Sequence, residues 1–189
     1  MRAKVACAAL AAVLSSCQTY DGDESSPYYV VPAGSRLTLQ QELTIPADEL
    51  SVFIQNGRTA RRGEVQQYYP FCRLYLYQKS ASERTVRPGE ITITRAMQQR
   101  RLTGPFSDAG GLLLARLTLA QDDTGDDNGG ELQSFMTLME LRSEKQPELF
   151  RLTCAQWAYQ GDIGDRHLTI TEIRRTLNPL FMLRLPQGS

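Results

Sequence analysis

Residues 36–45 read RLTLQQELTI, and this stretch decides the fold class. Its apolar residues stand at every second position, with Gln41 as the only interruption: Leu37, Leu39, Leu43 and Ile45. Successive side chains of a strand point to opposite faces of a sheet. The alternation therefore predicts a half-buried strand with one face in a hydrophobic core.

The same period of two recurs along the rest of the chain. Asn56-Gly57 follows the β-rich run SVFIQ and tolerates the positive φ angles of a type I′ turn, which predicts a hairpin. Further strands are predicted at 68–77 (YYPFCRLYLY), 90–96, 112–120, 134–141, 149–159 (LFRLTCAQWAY) and 180–185. Short strands separated by turn signals favour a mostly β, antiparallel β-sandwich or small barrel.

One segment departs from this period. Apolar residues at 170, 173 and 177 follow spacings of three and four, which are typical of a helix. Thr169 or Thr171 is suited to cap its start, and Asn178-Pro179 is suited to end it. We therefore expect one short C-terminal helix in an otherwise β domain.

The composition is that of an ordinary globular protein. The chain has 189 residues, of which 41% are hydrophobic and 22% charged, and this excludes wholesale disorder and a polytopic membrane protein. Its 21 basic residues equal its 21 acidic residues, whereas nucleic-acid binders usually carry a basic excess. We expect a single globular β domain over residues 28–189 and no nucleic-acid partner.

The N-terminus has the pattern of an export signal. Arg2 and Lys4 precede an apolar run that is too short to span a bilayer and has the length of a signal-peptide core. The run ends in Leu14-Ser15-Ser16-Cys17, which resembles the lipobox of bacterial lipoproteins. The alternative is an ordinary secretory signal that happens to contain cysteine.

The lipobox resemblance implies three segments and a location. Residues 1–16 would be a lipoprotein signal peptide, Cys17 would carry the lipid, and residues 17–27 would form a flexible tether. The lipid would anchor the chain to a membrane without spanning it. Gln18 after the cysteine implies sorting to the outer membrane, with the domain on the periplasmic face. The body, from YYVVPAGSRLTL to YYPFCRLYLY, is similar to uncharacterised proteobacterial outer-membrane lipoproteins, a class that supplies no site residue.

Two cysteines remain for the domain, because Cys7 leaves with the signal and Cys17 takes the lipid. Disulfides persist in an oxidising envelope, so we predict a bridge between Cys72 and Cys154. The chain has a single histidine and no CxxC motif, and a zinc site normally needs four ligands, so no metal is expected at these cysteines. The aromatic residues near both cysteines are interpreted as core, with a glycan or lipid groove as the alternative.

Three arginine clusters are candidates for contact with an anion or a partner. Arginine binds phosphate and carboxylate groups with two parallel hydrogen bonds. A solvated surface balanced by acidic residues is the alternative interpretation. The clusters comprise seven residues: Arg58, Arg61, Arg62, Arg100, Arg101, Arg174 and Arg175.

Catalytic and calcium-binding motifs are weak. The acidic run 122–131 resembles a calcium loop, but its sixth position is Asp127 and its twelfth is Gln133, so a solvated hairpin loop is the simpler interpretation. His167 lies near Asp165, but no GxSxG motif accompanies them. We therefore predict no catalytic residue and no cofactor.

Three functions remain open at this point. The first is a non-enzymatic envelope lipoprotein, a periplasm-facing binding or assembly-accessory module of the outer membrane with an envelope protein or glycan as partner. The second is a carrier of lipids or amphiphiles with a half-open barrel, which requires a large apolar cavity. The third is a cell-wall or glycan hydrolase, which requires a cleft with two carboxylates or a perturbed His167.

Overall fold

The computed structural model describes residues 22–102 and 131–186. Its elements are β1 (Arg36–Leu39), β2 (Leu43–Ile45), β3 (Ser51–Gln55), β4 (Arg58–Ala60), a 3-10 turn (Arg62–Glu64), β5 (Phe71–Leu76), β6 (Arg84–Val86), β7 (Gly89–Leu102), β8 (Leu132–Arg142), β9 (Leu149–Tyr159), α1 (Ile170–Leu177) and β10 (Phe181–Arg184). Some sequence predictions lie outside the described residues: the signal segment 1–16, Cys17, the strand 112–120 and nearly all of the acidic loop 122–131.

Eight strands form one curled antiparallel sheet in the order β10-β1-β7-β8-β9-β5-β3-β4, and β2 pairs separately with β6. The sheet makes a half-barrel, and α1 packs against β10, β5 and β3. This confirms the predicted class, a mostly β antiparallel domain with one short C-terminal helix. No helix within 22–102 and 131–186 is long and apolar enough to cross a membrane.

The stretch 36–45 is buried as predicted but is not one strand. Its four alternating apolar side chains are each at most 1% exposed. The strand ends at Leu39, and the backbone N–H of Gln40 donates to the carbonyl of Leu180 at 2.9 Å. The chain bends at the Gln41 interruption, so that β2 leaves the main sheet and pairs with β6. The prediction of a continuous strand was wrong for this reason.

The predicted helix is confirmed at both ends. Thr169 caps its start, since the Thr169 hydroxyl accepts from the backbone N–H of Glu172 at 3.2 Å, and the helix ends before Asn178-Pro179. Its buried residues Ile170, Ile173 and Leu177 join the main core. The helix therefore closes part of the inner face of the sheet.

Cys72 and Cys154 occupy directly opposite positions on β5 and β9. Their Sγ atoms lie 2.07 Å apart, which is disulfide distance, and both residues are fully buried in the aliphatic core of the inner face. This distance confirms the predicted pairing of Cys72 with Cys154. It links two central strands whose cysteines are 82 positions apart in the chain.

The aromatic neighbours of the cysteines do not form a core around the disulfide. Because neighbouring residues of a strand point to opposite faces, Phe71 lies on the outer face of the sheet. It packs there with Phe53 and Ala155 in a second, smaller cluster. Tyr68 and Tyr69 are more than half exposed. The prediction of an aromatic core was therefore wrong for most of these side chains.

The segment before Tyr28 contacts the domain. The carbonyl of Glu24 accepts from the N–H of Ile170 at 3.2 Å, and its carboxylate pairs with Arg174. The side-chain amide of Gln98 donates to the carbonyl of Pro27 at 2.9 Å. Residues 22–27 are thus held against the sheet and the helix, and the expected tether is shorter than 17–27 at its C-terminal end.

Candidate functional site

A surface cleft of about 600 Å³ lies beside α1, and residues at or near the ends of β3, β5 and β9 line it. Four separate segments form its walls. They are the β3–β4 turn at Gln55 and Asn56, the segment 66–70 before β5, the segment 156–166 at the end of β9, and the residues 172–176 of α1. We call this feature the helix cleft.

The β3–β4 turn is docked onto the end of the helix. Asn56 and Gly57 have φ angles of 52° and 71°, which confirms the hairpin turn predicted from the Asn-Gly pair. The N–H of Gly57 donates to the carbonyl of Thr176 at 2.8 Å. A Cβ at Gly57 would lie 2.0 Å from the carbonyl oxygen of Asn178, so only glycine permits this close contact. The turn and the helix therefore hold two walls together.

Gln55 holds the wall that the segment 66–70 forms. Its side-chain amide donates to the carbonyls of Gln66 and Pro70 at 3.0 and 3.2 Å. Its Oε1 accepts from the N–H of Gln66 at 3.1 Å. One side chain of β3 thereby ties the segment 66–70 to the sheet.

Arg166 and Glu172 form an ion pair with two parallel hydrogen bonds in the cleft. The two guanidinium NH groups of Arg166 donate to the two carboxylate oxygens of Glu172 at 2.8 and 2.6 Å. The backbone N–H of Thr169 donates to the same carboxylate at 2.8 Å. The guanidinium of Arg166 lowers the pKa of Glu172 from 4.5 to about 2, and Glu172 in turn raises the pKa of Arg166. Glu172 is therefore ionised and fully engaged at neutral pH.

Gln156 holds the loop that carries Arg166. Its side-chain amide reaches from β9 and donates to the carbonyls of Gly164 and Arg166 at 3.0 and 3.1 Å. The carboxylate of Asp165 accepts from the N–H of Gly161 at 2.8 Å inside the same loop. The loop that carries Arg166 is thus held by hydrogen bonds to β9 and by a hydrogen bond within the loop itself.

Arg175 is the unengaged cation of the cleft. It is exposed on α1, and no hydrogen bond or ion pair with another described residue engages its guanidinium. Of the described residues, Arg166, Arg175 and Glu172 are the charged ones that line the cleft, which leaves one positive charge in excess. A planar guanidinium free to form two parallel bonds is suited to a carboxylate or phosphate.

Only one of the seven predicted anion contacts lies at this site. Arg174, the neighbour of Arg175 on the helix, instead donates to the carbonyl of Leu183 at 3.1 Å and pairs with Glu24. The other five predicted arginines are not among the residues that line the cleft: Arg58, Arg61, Arg62, Arg100 and Arg101. Of the seven predicted arginines, Arg175 is therefore the one that lines this cleft.

Sequence reasoning missed most of the cleft. Arg166, Gln55 and Gln156 carry no motif, and their roles depend on contacts between distant segments. Glu172 did leave a signal, because Thr169 and Glu172 have the spacing of a capping box, threonine followed three residues later by glutamate.

His167 is not part of the cleft lining. Its ring meets the edge of Phe135 with the centroids 5.6 Å apart. Its Nδ1 is buried and has no hydrogen-bond partner among the described residues. Burial, and then the charge of Arg100, lower its pKa from 6.5. Asp165, engaged with its own loop, does not hydrogen-bond this ring within the described residues.

Within residues 22–102 and 131–186, no group of histidine, cysteine or acidic residues has the arrangement of a metal site. Comparison with models of known protein families gave no match. Searches of curated proteins and of solved structures also gave no similar sequence and no similar fold. The function therefore has to be argued from the chemistry of the helix cleft itself.

Proposed function

We propose that this chain is a non-enzymatic, lipid-anchored envelope module on the periplasmic face of the outer membrane, and that it binds an anionic group of an envelope partner in the helix cleft. The observation that carries the proposal is Arg175, an exposed guanidinium that lines a preformed cleft and has no counter-ion among the described residues. The resemblance of Leu14-Ser15-Ser16-Cys17 to a lipobox supports the anchor. The cysteine pair at disulfide distance is in keeping with an oxidising compartment.

The order of the cleft favours binding. Its walls are held by hydrogen bonds between side chain and backbone, so little has to be ordered when a ligand enters. The charge excess of one attracts an anion, and the Arg166–Glu172 pair neutralises itself. Arg175 is therefore the residue through which a partner would be recognised.

The two other functions have less support at this cleft. A glycoside hydrolase needs a carboxylic acid that can donate a proton and a second carboxylate. Among the described residues, Glu172 is the single carboxylate in the cleft lining, and the guanidinium of Arg166 keeps the pKa of Glu172 at about 2. A carrier needs a large apolar cavity, whereas aliphatic side chains fill the inner face of the half-barrel and the cleft lies outside that core.

Anchoring is tested by fractionation. Cys17→Ala is expected to move the protein from the membrane pellet to the soluble periplasmic fraction, because the lipid acceptor is lost. Labelled palmitate is expected to enter the native protein and not the variant. A Cys17→Ala protein that stays in the membrane pellet would contradict the lipid anchor.

Binding is tested by crosslinking in cells. A photoreactive amino acid at Ile163, at the rim of the cleft, is expected to capture the same envelope component repeatedly. Arg175→Ala is expected to abolish this capture, and Arg95→Ala, which changes an exposed arginine of β7 away from the cleft, is expected to leave it unchanged. Equal capture by the native protein and Arg175→Ala would contradict the proposed role of the cleft.

A further inference from the structure

The helix cleft combines its free charge with exposed apolar side chains. Ile163 is 96% exposed and Tyr69 is 67% exposed, and both line the cleft together with Pro70. Ile163 is not a loosely placed residue. The N–H of Asp162 donates to the carbonyl of Tyr159 at 3.0 Å, and the N–H of Asp165 donates to the carbonyl of Asp162 at 2.9 Å. Ile163, Tyr69 and Pro70 together give the cleft an exposed apolar part that a partner can cover.

The cleft also offers unengaged amides. Asn56 and Gln66 line it, and the side-chain amide of neither residue makes a hydrogen bond with another described residue. A primary amide presents two donors and one acceptor oxygen, which matches the N–H and C=O groups of a peptide backbone. By contrast, the amide of Gln55 is already engaged by the segment 66–70.

We propose that the helix cleft binds the free C-terminal carboxylate of a peptide, with Arg175 on the carboxylate, Asn56 and Gln66 on the adjoining peptide groups, and Ile163 and Tyr69 against an apolar C-terminal side chain. This inference rests on the proposed function and names the ligand class of the same site. A cleft of about 600 Å³ lies within the range of about 300–1,000 Å³ that is usual for small-ligand sites.

The charge of the cleft favours a peptide carboxylate over other anions. Arg175 supplies one unpaired positive charge, which matches a carboxylate monoanion. A phosphate dianion is normally held by a cluster of cations, and Arg166 is already occupied by Glu172. A fatty acid would leave the amides of Asn56 and Gln66 facing an alkyl chain, where they would lose hydrogen bonds to water.

Two sources in the envelope carry this chemistry. One is the C-terminus of a protein, which ends in an L-residue. The other is a cell-wall stem peptide that ends in D-alanine. The shared feature is a peptide with a free terminal carboxylate, and the probes below distinguish the two.

The test measures fluorescence anisotropy with the purified lipidated protein in a non-ionic detergent. The probes are N-terminally labelled Ala-Ala-Leu as the free acid, the same peptide as its C-terminal amide, and diacetyl-Lys-D-Ala-D-Ala as an unlabelled competitor. We expect the free acid to bind at least about tenfold more tightly than the amide, because the amide removes the charge that Arg175 recognises. Competition by the D-alanine peptide with an affinity higher than that of Ala-Ala-Leu assigns the cell-wall source, and its failure to compete assigns the protein C-terminus.

Three variants make the test specific. Arg175→Ala is expected to weaken binding of the free acid at least about tenfold, and Ile163→Ser is expected to weaken both peptides equally. Arg95→Ala is the control and is expected to change neither affinity. The change at Arg175 is on an exposed position, and an unchanged circular dichroism melting curve will verify the fold.

Several results would overturn the inference. Equal affinity for acid and amide would do so, as would full binding by Arg175→Ala, or no binding of any probe up to about 5 mM. If these results occur while capture in cells still depends on Arg175, the proposed function survives and only the ligand class is wrong. If capture in cells is independent of Arg175, the proposed function itself fails.

Discussion

Replacing Glu172 with glutamine tests how the helix cleft is held. The substitution keeps the shape and hydrogen-bond acceptor of the side chain but removes the charge that Arg166 contacts through both NH groups. The pKa of Glu172 falls from 4.5 to about 2, which corresponds to about 3 kcal/mol before solvent is considered. The side chain of Arg166 is 35% exposed, so screening reduces this figure to about 1–2 kcal/mol. We expect Glu172→Gln to lower the free energy of unfolding by that amount at about pH 7.

The pH dependence identifies the cause. Because the pKa of Glu172 is lowered in the folded state, its stabilisation is complete above pH 4.5 and is lost as the pH falls towards about 2. Urea denaturation followed by circular dichroism is expected to show the deficit of Glu172→Gln at about pH 7 and little of it at about pH 2.5. Glu42→Gln, an exposed acid outside the cleft, is the control and is expected to change stability by less than about 0.5 kcal/mol. A deficit of equal size at both pH values would refute the electrostatic explanation.

Three further predictions follow from other contacts. Gly57→Ala is expected to lower the free energy of unfolding by about 1–3 kcal/mol in urea denaturation, because a Cβ at this position meets a backbone carbonyl. The control Gly63→Ala has open space around the new Cβ and is expected to lower it by less than about 0.5 kcal/mol. Equal losses in the two variants would contradict the close contact at Gly57. Replacing both Cys72 and Cys154 with alanine is expected to lower stability by about 4–5 kcal/mol, and an unchanged unfolding midpoint would show that the bridge is not formed in solution. His167 is expected to titrate below pH 6.5 by NMR, because burial and a nearby guanidinium disfavour its charged form, and stability is expected to fall as the pH drops below 6.5; a midpoint at or above 6.5 would contradict its burial.

The fold was predictable from the sequence where local rules decide it. The apolar run 149–159 reproduces the bounds of β9, and the spacing of 170, 173 and 177 locates α1. Asn56-Gly57 located the first hairpin because few other residue pairs tolerate its φ angles. The bend at Gln40 and Gln41 was missed, because it depends on a hydrogen bond to Leu180 at the far end of the chain.

The cleft was less predictable because it joins four segments that are distant in sequence. Arg175 was among the seven predicted contacts, but nothing in the sequence distinguishes it from its neighbour Arg174. The two differ because Glu24 lies beside one and not the other, and that fact depends on how the segment before Tyr28 packs. Gln55 gave no signal, since its importance comes from the carbonyls it meets in segment 66–70.

The disulfide can form only when β5 and β9 are paired in the correct register. If β5 slipped by one residue against β9, its side chains would turn to the other face of the sheet. The sulfur atoms of Cys72 and Cys154 would then point to opposite sides and could not bond. A bonded pair therefore reports correct alignment, and thiol trapping during refolding measures the fraction of chains that have reached it. Because Cys154 lies at position 154 of 189, the bridge can form only when most of the chain has been made.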